Sequence, residues 1–149
     1  VIHILTEGEA VCRAAKELIL QPQSDVNKVR EYIRNAGYKI VDEDMILEDG
    51  KYYPMFRCIP CNDNSAWDNM DETTVTVCDL YGPVLIKNGN PVLRKFLVRE
   101  HHKLAAIMCQ LKDQEMSDSI MERIEQINEM MAYNEAAYSS MGAIRNAGI

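Results

Sequence analysis

Apolar and polar positions along the first part of the chain follow a helix–strand–helix order. Residues 2–15 place apolar side chains at helical intervals, and the short apolar run Leu18–Leu20 ends at Gln21-Pro22. An unalternating apolar run is typical of a buried strand in a parallel sheet. Helical spacing returns over residues 25–36, and Gly37 suits the left-handed position after a helix. This order predicts an α/β fold.

Two strand-like segments follow, at residues 39–48 and 51–59, with Asp49-Gly50 between them. An Asp-Gly pair between two β-prone runs is the strongest short signal for a hairpin. The pattern therefore predicts an antiparallel β-hairpin. Residues 60–79 are polar and predict a loop, in which Thr73–Cys78 is either a short strand or more of the loop.

From Gly82-Pro83 onward the spacing is helical to the end of the chain. Asn90 is the expected N-cap of a helix that runs to about residue 112, and Pro91 is its first residue. A second helix starts near Ser117, with Asn134 at a core-type position among heptad steps formed by Ile120, Ile124, Ile127, Met131 and Tyr138. The short connection predicts an antiparallel helical hairpin of the coiled-coil kind.

Composition places the chain among globular proteins. It has 149 residues, 47% of them hydrophobic and 26% charged, with a net charge of −7. No apolar run approaches the roughly 20 residues that a membrane span requires, so we expect no membrane partner. The five cysteines are odd in number and scattered, which argues against a disulfide framework and favours a cytoplasmic location.

The residues that suggest metal or redox chemistry have simpler interpretations. Cys58 and Cys61 form a CxxC pair, but tetrahedral zinc needs two more ligands and only Cys78 lies near. His101-His102 has no third ligand one turn away. We therefore predict no metal site. The sequence also holds no GxGxxG or P-loop spacing, so it has no glycine loop for a nucleotide.

Gln21-Pro22-Gln23 follows the first predicted strand at its carboxyl end. Ligands of open α/β sheets bind at such ends, and the two amides could hydrogen-bond a base edge or a cofactor. The alternative is a polar loop that merely ends the strand. The spacing alone leaves both interpretations open.

Charge separates sharply along the helical tail. The first helix of the tail is basic. Its cations are Arg94, Lys95, Arg99 and Lys103, and Lys87 lies shortly before it. The second is acidic, with seven carboxylates between residues 113 and 135 against one arginine. Either the two helices attract each other, or the basic residues form a ridge that meets a phosphate backbone. Composition does not choose between these interpretations.

Several short strings, in order, resemble one family. They are Glu17–Gln23 (ELILQPQ), Val29–Ile33 (VREYI), Gly37–Ile40 (GYKI), Glu43, Glu48–Tyr53 (EDGKYY), Tyr81–Leu85 (YGPVL) and Asn90-Pro91. This pattern resembles the bacterial tRNA (adenine-22 N1)-methyltransferases over nearly the whole chain, except for residues 60–79. Two positions depart from it: Gln23 stands where the family usually has Asn, and Pro54 where Glu is common.

The resemblance implies the C-terminal part of a class I, Rossmann-like methyltransferase sheet with an antiparallel β-hairpin, followed by an α-helical coiled-coil hairpin. We expect residues 1–85 to belong to the methyltransferase α/β domain and residues 86–149 to form the helical hairpin. The implied cofactor is S-adenosylmethionine, whose binding residues would lie mostly upstream of Val1. The chain alone is therefore expected to be inactive.

The activity that the resemblance implies is methyl transfer to N1 of an adenine in tRNA. On this view Gln21, Pro22 and Gln23 line the base pocket, and the tRNA backbone is bound by Lys87, Arg94, Lys95, Arg99 and Lys103. No catalytic residue is assigned. The alternative is a non-catalytic interaction or oligomerisation module, which would associate through the helical hairpin or through an exposed sheet edge at Leu18–Leu20.

Overall fold

A computed structural model describes residues 1–61 and 65–142 of the chain. Within them a three-stranded sheet is surrounded by short helices and followed by two long ones. The helices are α1 Ile2–Glu7, α2 Glu9–Ala14, α3 Val26–Asn35, α4 Glu72–Tyr81, α5 Pro83–Asn88, α6 Pro91–Lys112 and α7 Asp118–Ser140. The strands are β1 Leu18–Leu20, β2 Tyr38–Glu48 and β3 Lys51–Pro60.

The predicted β-hairpin is present. Strands β2 and β3 pair antiparallel up to Glu48 opposite Lys51. Asp49 and Gly50 both have positive φ, 49° and 74°, which is the backbone of a two-residue turn whose twist matches the paired strands. The sheet order is β1-β3-β2, so β3 lies in the middle. The local Asp-Gly signal was sufficient to locate this element.

The prediction of a buried parallel strand at Leu18–Leu20 is wrong in its pairing and its burial. Within the described residues β1 pairs antiparallel with β3, with Leu18 opposite Cys58 and Leu20 opposite Phe56. Ile19 is 72% exposed. A run of three apolar residues identifies a strand but does not specify its partner, and the partner here is a segment almost 40 residues away.

Residues 73–78 are neither strand nor loop but the first turns of α4. Asp71 caps this helix, since its carboxylate accepts hydrogen bonds from the Thr74 amide (2.9 Å) and hydroxyl (2.7 Å). Val77 and Tyr81, four residues apart, are both buried. The cap and this apolar pair outweigh the β-propensity of the Thr and Val residues. Residues 65–71 form turns or irregular structure as the predicted loop requires, and residues 62–64 lie outside the described residues.

The ends of α6 and α7 that lie nearest the sheet share one core with it. Met45 of β2 packs in the same cluster as Leu93 and Leu97 of α6 and Ala137 of α7. Asn90 caps α6 as predicted, since its side-chain oxygen accepts hydrogen bonds from the amides of Val92 and Leu93. Farther along, Leu104 and Leu111 of α6 form a separate cluster with Ile127 of α7. The helices therefore pack as a hairpin, while a coiled-coil supercoil stays a prediction.

Two positions of the predicted seam on α7 differ in burial. Asn134 is buried as expected, at 2% exposure, whereas Tyr138 is 41% exposed. Ala137, one residue earlier, is fully buried in its place. A strict heptad drifts relative to the 3.6-residue helical repeat, and near the base of the hairpin the helix keeps its own periodicity.

A buried polar cluster connects the sheet to the helical tail. Glu43 of β2 accepts hydrogen bonds from the amides of Val84 (2.8 Å) and Leu85 (3.4 Å), at the start of α5. Arg30 of α3 donates to the carbonyl oxygens of Asp79 and Leu80, both at 3.1 Å, near the end of α4. These contacts satisfy backbone groups at two helix ends and orient the segment that leads into α6. None of the described helices is long and apolar enough to cross a membrane.

Candidate nucleic-acid interface

The exposed side of α6 concentrates positive charge. Successive residues turn by about 100° around a helix, so the side opposite the buried residues Leu93, Leu97 and Leu104 is centred near Lys95. Lys95 and Arg99 lie near that centre, whereas Arg94 and Lys103 lie on its two flanks; all four are exposed. Burial of the apolar stripe therefore leaves each of these cations in solvent.

A shallow groove of about 480 Å³ runs along this side between α6 and α7. Arg94, Lys95, Arg99 and His102 line it from α6, and Tyr138 lines it from α7. The guanidinium carbon of Arg94 lies 5.1 Å from the centroid of the Tyr138 ring. An exposed aromatic ring beside several cations is the combination that RNA-binding surfaces use to hold a backbone and stack a base.

The turn of the β-hairpin reaches the same side of α6. Arg99 donates a hydrogen bond of 2.7 Å to the carbonyl oxygen of Gly50. Its guanidinium carbon is 5.7 Å from the Tyr52 ring centroid, and Tyr52 meets Phe96 edge-on at 5.1 Å. With Lys51 and Lys103 these residues border a second cavity of about 370 Å³. The hairpin turn thus places Lys51 beside Arg99 and Lys103 at this cavity, although the same turn also carries Glu48 and Asp49.

In the described part of the chain, the two long helices do not neutralise this charge through direct ion pairs. The one acidic residue amid the basic side, Glu100, is engaged elsewhere: its carboxylate accepts hydrogen bonds from the Tyr81 hydroxyl (2.7 Å) and the Asn134 amide (2.9 Å). Burial of the Tyr81 hydroxyl and its hydrogen bond to Glu100 raise the pKa of Tyr81. The cations of α6 are consequently left facing solvent.

Lys87 lies apart from the other four cations. It is on α5, and it lines a different cavity together with Arg34, Lys39 and Trp67. Sequence proximity to Arg94 suggested one ridge, but the turn at Gly89, with φ of 61°, separates α5 from α6. The structure therefore divides the five predicted residues into a group of four and one residue elsewhere.

The segment Gln21–Gln23 is placed at the end of β1, as the pattern predicted. Pro22 is buried, whereas Gln21 and Gln23 are exposed. Among the described residues, the polar contact of these two amides is a local one, from Gln23 Nε2 to the Gln21 carbonyl oxygen at 3.5 Å. Both interpretations of this segment, ligand contact and strand terminator, therefore remain predictions.

The two cysteines of the CxxC pair lie at the end of β3. Cys58 is fully buried, and this burial raises the pKa of its thiol to about 11. Cys61 is half-buried, and no disulfide joins any of the five cysteines, all of which lie in the described ranges. In the described ranges no three His, Cys, Asp or Glu side chains are grouped as metal ligands would be. The geometry around Cys58 is that of a core residue.

Four residues of the surface were missed from the sequence: Lys51, Tyr52, His102 and Tyr138. Tyr138 was assigned to the core because it continued the heptad, and Tyr52 was counted only as part of a strand. A usable signal was present in the spacing, because Lys51 and Tyr52 adjoin the Asp-Gly turn, where a hairpin tip is exposed. Which helix side that turn would meet depends on tertiary packing.

Comparison with known proteins identifies the family that the chain resembles. Residues 1–135 match the family model described as TrmK, tRNA (adenine(22)-N(1))-methyltransferase. The chain is 25% identical over 131 residues to the tRNA (adenine(22)-N(1))-methyltransferase of Bacillus subtilis (strain 168), a match covering 88% of this chain and 54% of the relative.

Solved structures of relatives share the fold. The crystal structure of the B. subtilis M1A22 tRNA methyltransferase TrmK aligns with a TM-score of 0.75 at 24% identity, covering 91% of this chain and 57% of that one. M. capricolum TrmK in complex with S-adenosyl-homocysteine aligns with a TM-score of 0.70 at 17% identity, covering 94% and 55%. The chain has part of a Rossmann-like methyltransferase fold, and it spans about half the length of these relatives. With nine-tenths of its residues matched to one family model, the chain belongs to the TrmK family of tRNA (adenine(22)-N(1))-methyltransferases.

Proposed function

We propose that this chain is the C-terminal, RNA-binding part of an S-adenosylmethionine-dependent enzyme that methylates N1 of an adenine in tRNA. Membership of the TrmK family supports the activity, and the relative solved with S-adenosyl-homocysteine supports the cofactor. On this proposal residues 1–85 complete the methyltransferase domain, residues 86–149 form the helical hairpin, and the protein works in the cytoplasm, where it meets tRNA.

The chemistry sets what the protein must do. N1 lies on the Watson–Crick edge of adenine, so the base has to be unpaired or turned out of the helix before it reacts. The sulfonium of the cofactor supplies a methyl group that is already reactive. The remaining task is to hold the RNA so that N1, the methyl carbon and sulfur are in line.

This chain contributes to RNA binding rather than to the cofactor cradle. It has no glycine-rich loop, and the segment after β1 holds the buried Pro22, which has no backbone N–H to donate. We therefore expect the isolated chain not to bind the cofactor with useful affinity and to be inactive. The expectation is wrong if calorimetry detects tight binding of S-adenosylmethionine by residues 1–149.

The observation that supports RNA binding is the set of exposed cations on α6. Arg94, Lys95 and Arg99 line a groove with Tyr138, and Lys103 lines the neighbouring cavity with Arg99. Lysine and arginine bind the phosphate backbone irrespective of base identity, and they release counterions as they do so. Affinity carried by such contacts falls steeply with salt. Sequence selectivity would then come from elsewhere in the whole enzyme.

A salt titration of tRNA binding tests the proposal. We expect a double variant, Lys95→Ala with Arg99→Ala, to bind tRNA roughly tenfold more weakly at low salt and to lower the salt slope by about 2. The matched control is Lys16→Ala with Lys28→Ala, which removes the same charge from exposed positions of the other part of the fold. Equal affinity and slope for both double variants would contradict the proposal.

A second function, self-association, is favoured by one observation. One edge of β1 has no partner among the described residues, and Ile4, Val11 and Ile19 are each more than 65% exposed. An unpaired strand edge beside exposed apolar residues is prone to pairing with another chain. Sedimentation equilibrium over a range of concentrations would reveal it. Concentration-dependent dimerisation without tRNA binding would favour the interaction module over the enzyme.

A further inference from the structure

A cavity of about 310 Å³ lies between the end of α3, the start of β2 and α5. It shares no lining residue with the groove or the cavity described on α6. Its walls are largely apolar, with Ile33, Ile40 and Val84 contributing, and Trp67 forms one side. Its volume is at the lower end of the range for small-molecule sites, which suits a flat group of modest size.

The indole ring in this cavity lies against a charged side chain. The guanidinium carbon of Arg34 lies 5.3 Å from the Trp67 ring centroid. Arg34 itself pairs with Asp79, since its Nη2 is 2.7 Å from Asp79 Oδ2. Attraction between the cation and the ring favours the position in which the indole forms one wall of the cavity.

Two further cations border the cavity. Lys39 and Lys87 both line it and are exposed. Neither takes part in an ion pair within the described residues, whereas Arg30 and Arg34, which also line the cavity, are balanced by Glu43 and Asp79. The uncompensated charge is thus positive and lies on flexible side chains that can reach an anion.

We infer that this cavity binds a nucleotide, with its base against Trp67 and its phosphate between Lys39 and Lys87. A planar base provides an apolar face that packs against the indole and the aliphatic walls. The phosphate provides the negative charge that pairs with the two lysines. The nucleotide can be a free molecule or an unpaired residue of an RNA. The inference does not depend on the α6 surface, because the two sites have no residue in common.

Trp67 makes the test selective, because it is the only tryptophan of the chain. AMP is titrated into the 149-residue chain while tryptophan emission is followed, with excitation at the red edge of the indole band, where nucleotides do not absorb. We expect a saturable change in emission. A double variant, Lys39→Ala with Lys87→Ala, should weaken the apparent Kd roughly tenfold. The control pair Lys95→Ala with Arg99→Ala should leave AMP binding unchanged, even where it impairs tRNA binding.

Competing ligands separate the parts of the inference. Adenosine lacks the phosphate and should bind more weakly than AMP, with an affinity that the two lysine substitutions do not alter. A single-stranded trinucleotide that binds more tightly than AMP assigns the site to RNA, and the reverse order assigns it to a free nucleotide. The inference is overturned if AMP leaves the emission unchanged, if adenosine binds as well as AMP, or if the lysine variant keeps the original Kd.

Discussion

Arg30 and Glu43 form an ion pair that is closed to solvent, with 2.9 Å between Nε and Oε1 and side chains that are 2% and 0% exposed. The pair joins α3 to β2, and its remaining hydrogen bonds hold the ends of α4 and α5. Burial raises the pKa of the Glu43 carboxyl, while Arg30 and the amides of Val84 and Leu85 lower it. The fold tolerates two buried charges here because each neutralises the other and both form hydrogen bonds with nearby backbone groups.

Replacing one partner should destabilise the fold strongly. We expect Glu43→Gln to lower the free energy of unfolding by about 3–5 kcal/mol, because it leaves the Arg30 guanidinium buried without a counter-charge. Glu17→Gln is the control. Glu17 pairs with Arg57 at 3.1 Å, but both side chains are more than 40% exposed, so the loss should be at most about 1 kcal/mol. Denaturant unfolding measures the loss of stability in both variants. Equal losses would contradict the interpretation that burial makes the Arg30–Glu43 pair more important to the fold than the exposed pair.

Gly82 is required by the same cluster. Its φ is 92°, and a Cβ at this position would lie 2.7 Å from Glu43 Oε1 and 2.9 Å from Arg30 Nη2. We expect Gly82→Ala to cost about 2–4 kcal/mol in stability, from backbone strain and displacement of the ion pair.

Gly50→Ala separates these two causes. Gly50 also has a positive φ of 74°, but nothing lies within 4 Å of its Cβ position. That variant should lose only about 1 kcal/mol, the cost of the backbone conformation. Thermal unfolding of the two variants provides the comparison. If Gly82→Ala is no more destabilising than Gly50→Ala, contact with the ion pair is not the reason for the glycine.

The parts of the fold that the sequence predicted are those specified locally. Asp49-Gly50 defines a hairpin turn, and Asn90-Pro91 defines a helix start, because each signal and its effect lie within a few residues. The partner of β1 depends on distant contacts, which the pattern does not encode. Over residues 73–78 the local signal of the Asp71 cap was present, but the β-propensity of the Thr and Val residues concealed it. Arg30, Glu43 and Gly82 fell within the strings that resemble the family, yet their convergence follows only from tertiary packing.

The candidate site shows the same division. Four cations on α6 were found because they are close together in the sequence of one predicted helix, and all four are exposed on that helix. Lys87 was grouped with them because it is close in sequence, although α5 and α6 meet at the Gly89 turn. The proximity of Tyr52 to Arg99 requires the hairpin to fold onto α6, and no periodicity encodes that approach.

Asn134 stabilises the contact between the two long helices within one chain. Its side-chain amide donates to the Leu97 carbonyl oxygen at 3.0 Å and to Glu100 Oε2 at 2.9 Å. We expect Asn134→Ala to cost about 1–3 kcal/mol, since two buried acceptors lose a donor. Asn128→Ala, at an exposed position of the same helix, should change stability by less than about 0.5 kcal/mol. Chemical denaturation measures both, and equal stability of the two variants would show that the amide has no such role.

Thiol reactivity should differ sharply among the cysteines. Burial raises the pKa of both Cys58 and Cys78 to about 11, whereas Cys109 is exposed on α6. The thiolate is the reactive form, so at mildly alkaline pH we expect iodoacetamide to modify Cys109 first and to leave Cys58 and Cys78 intact while the chain is folded. Peptide mass spectrometry would locate the label. A Cys109→Ser variant should lose the fast phase, and denaturant should expose every remaining cysteine. Modification of Cys58 as fast as Cys109 in the folded chain would refute its assignment as a core residue and reopen the redox interpretation of the CxxC pair.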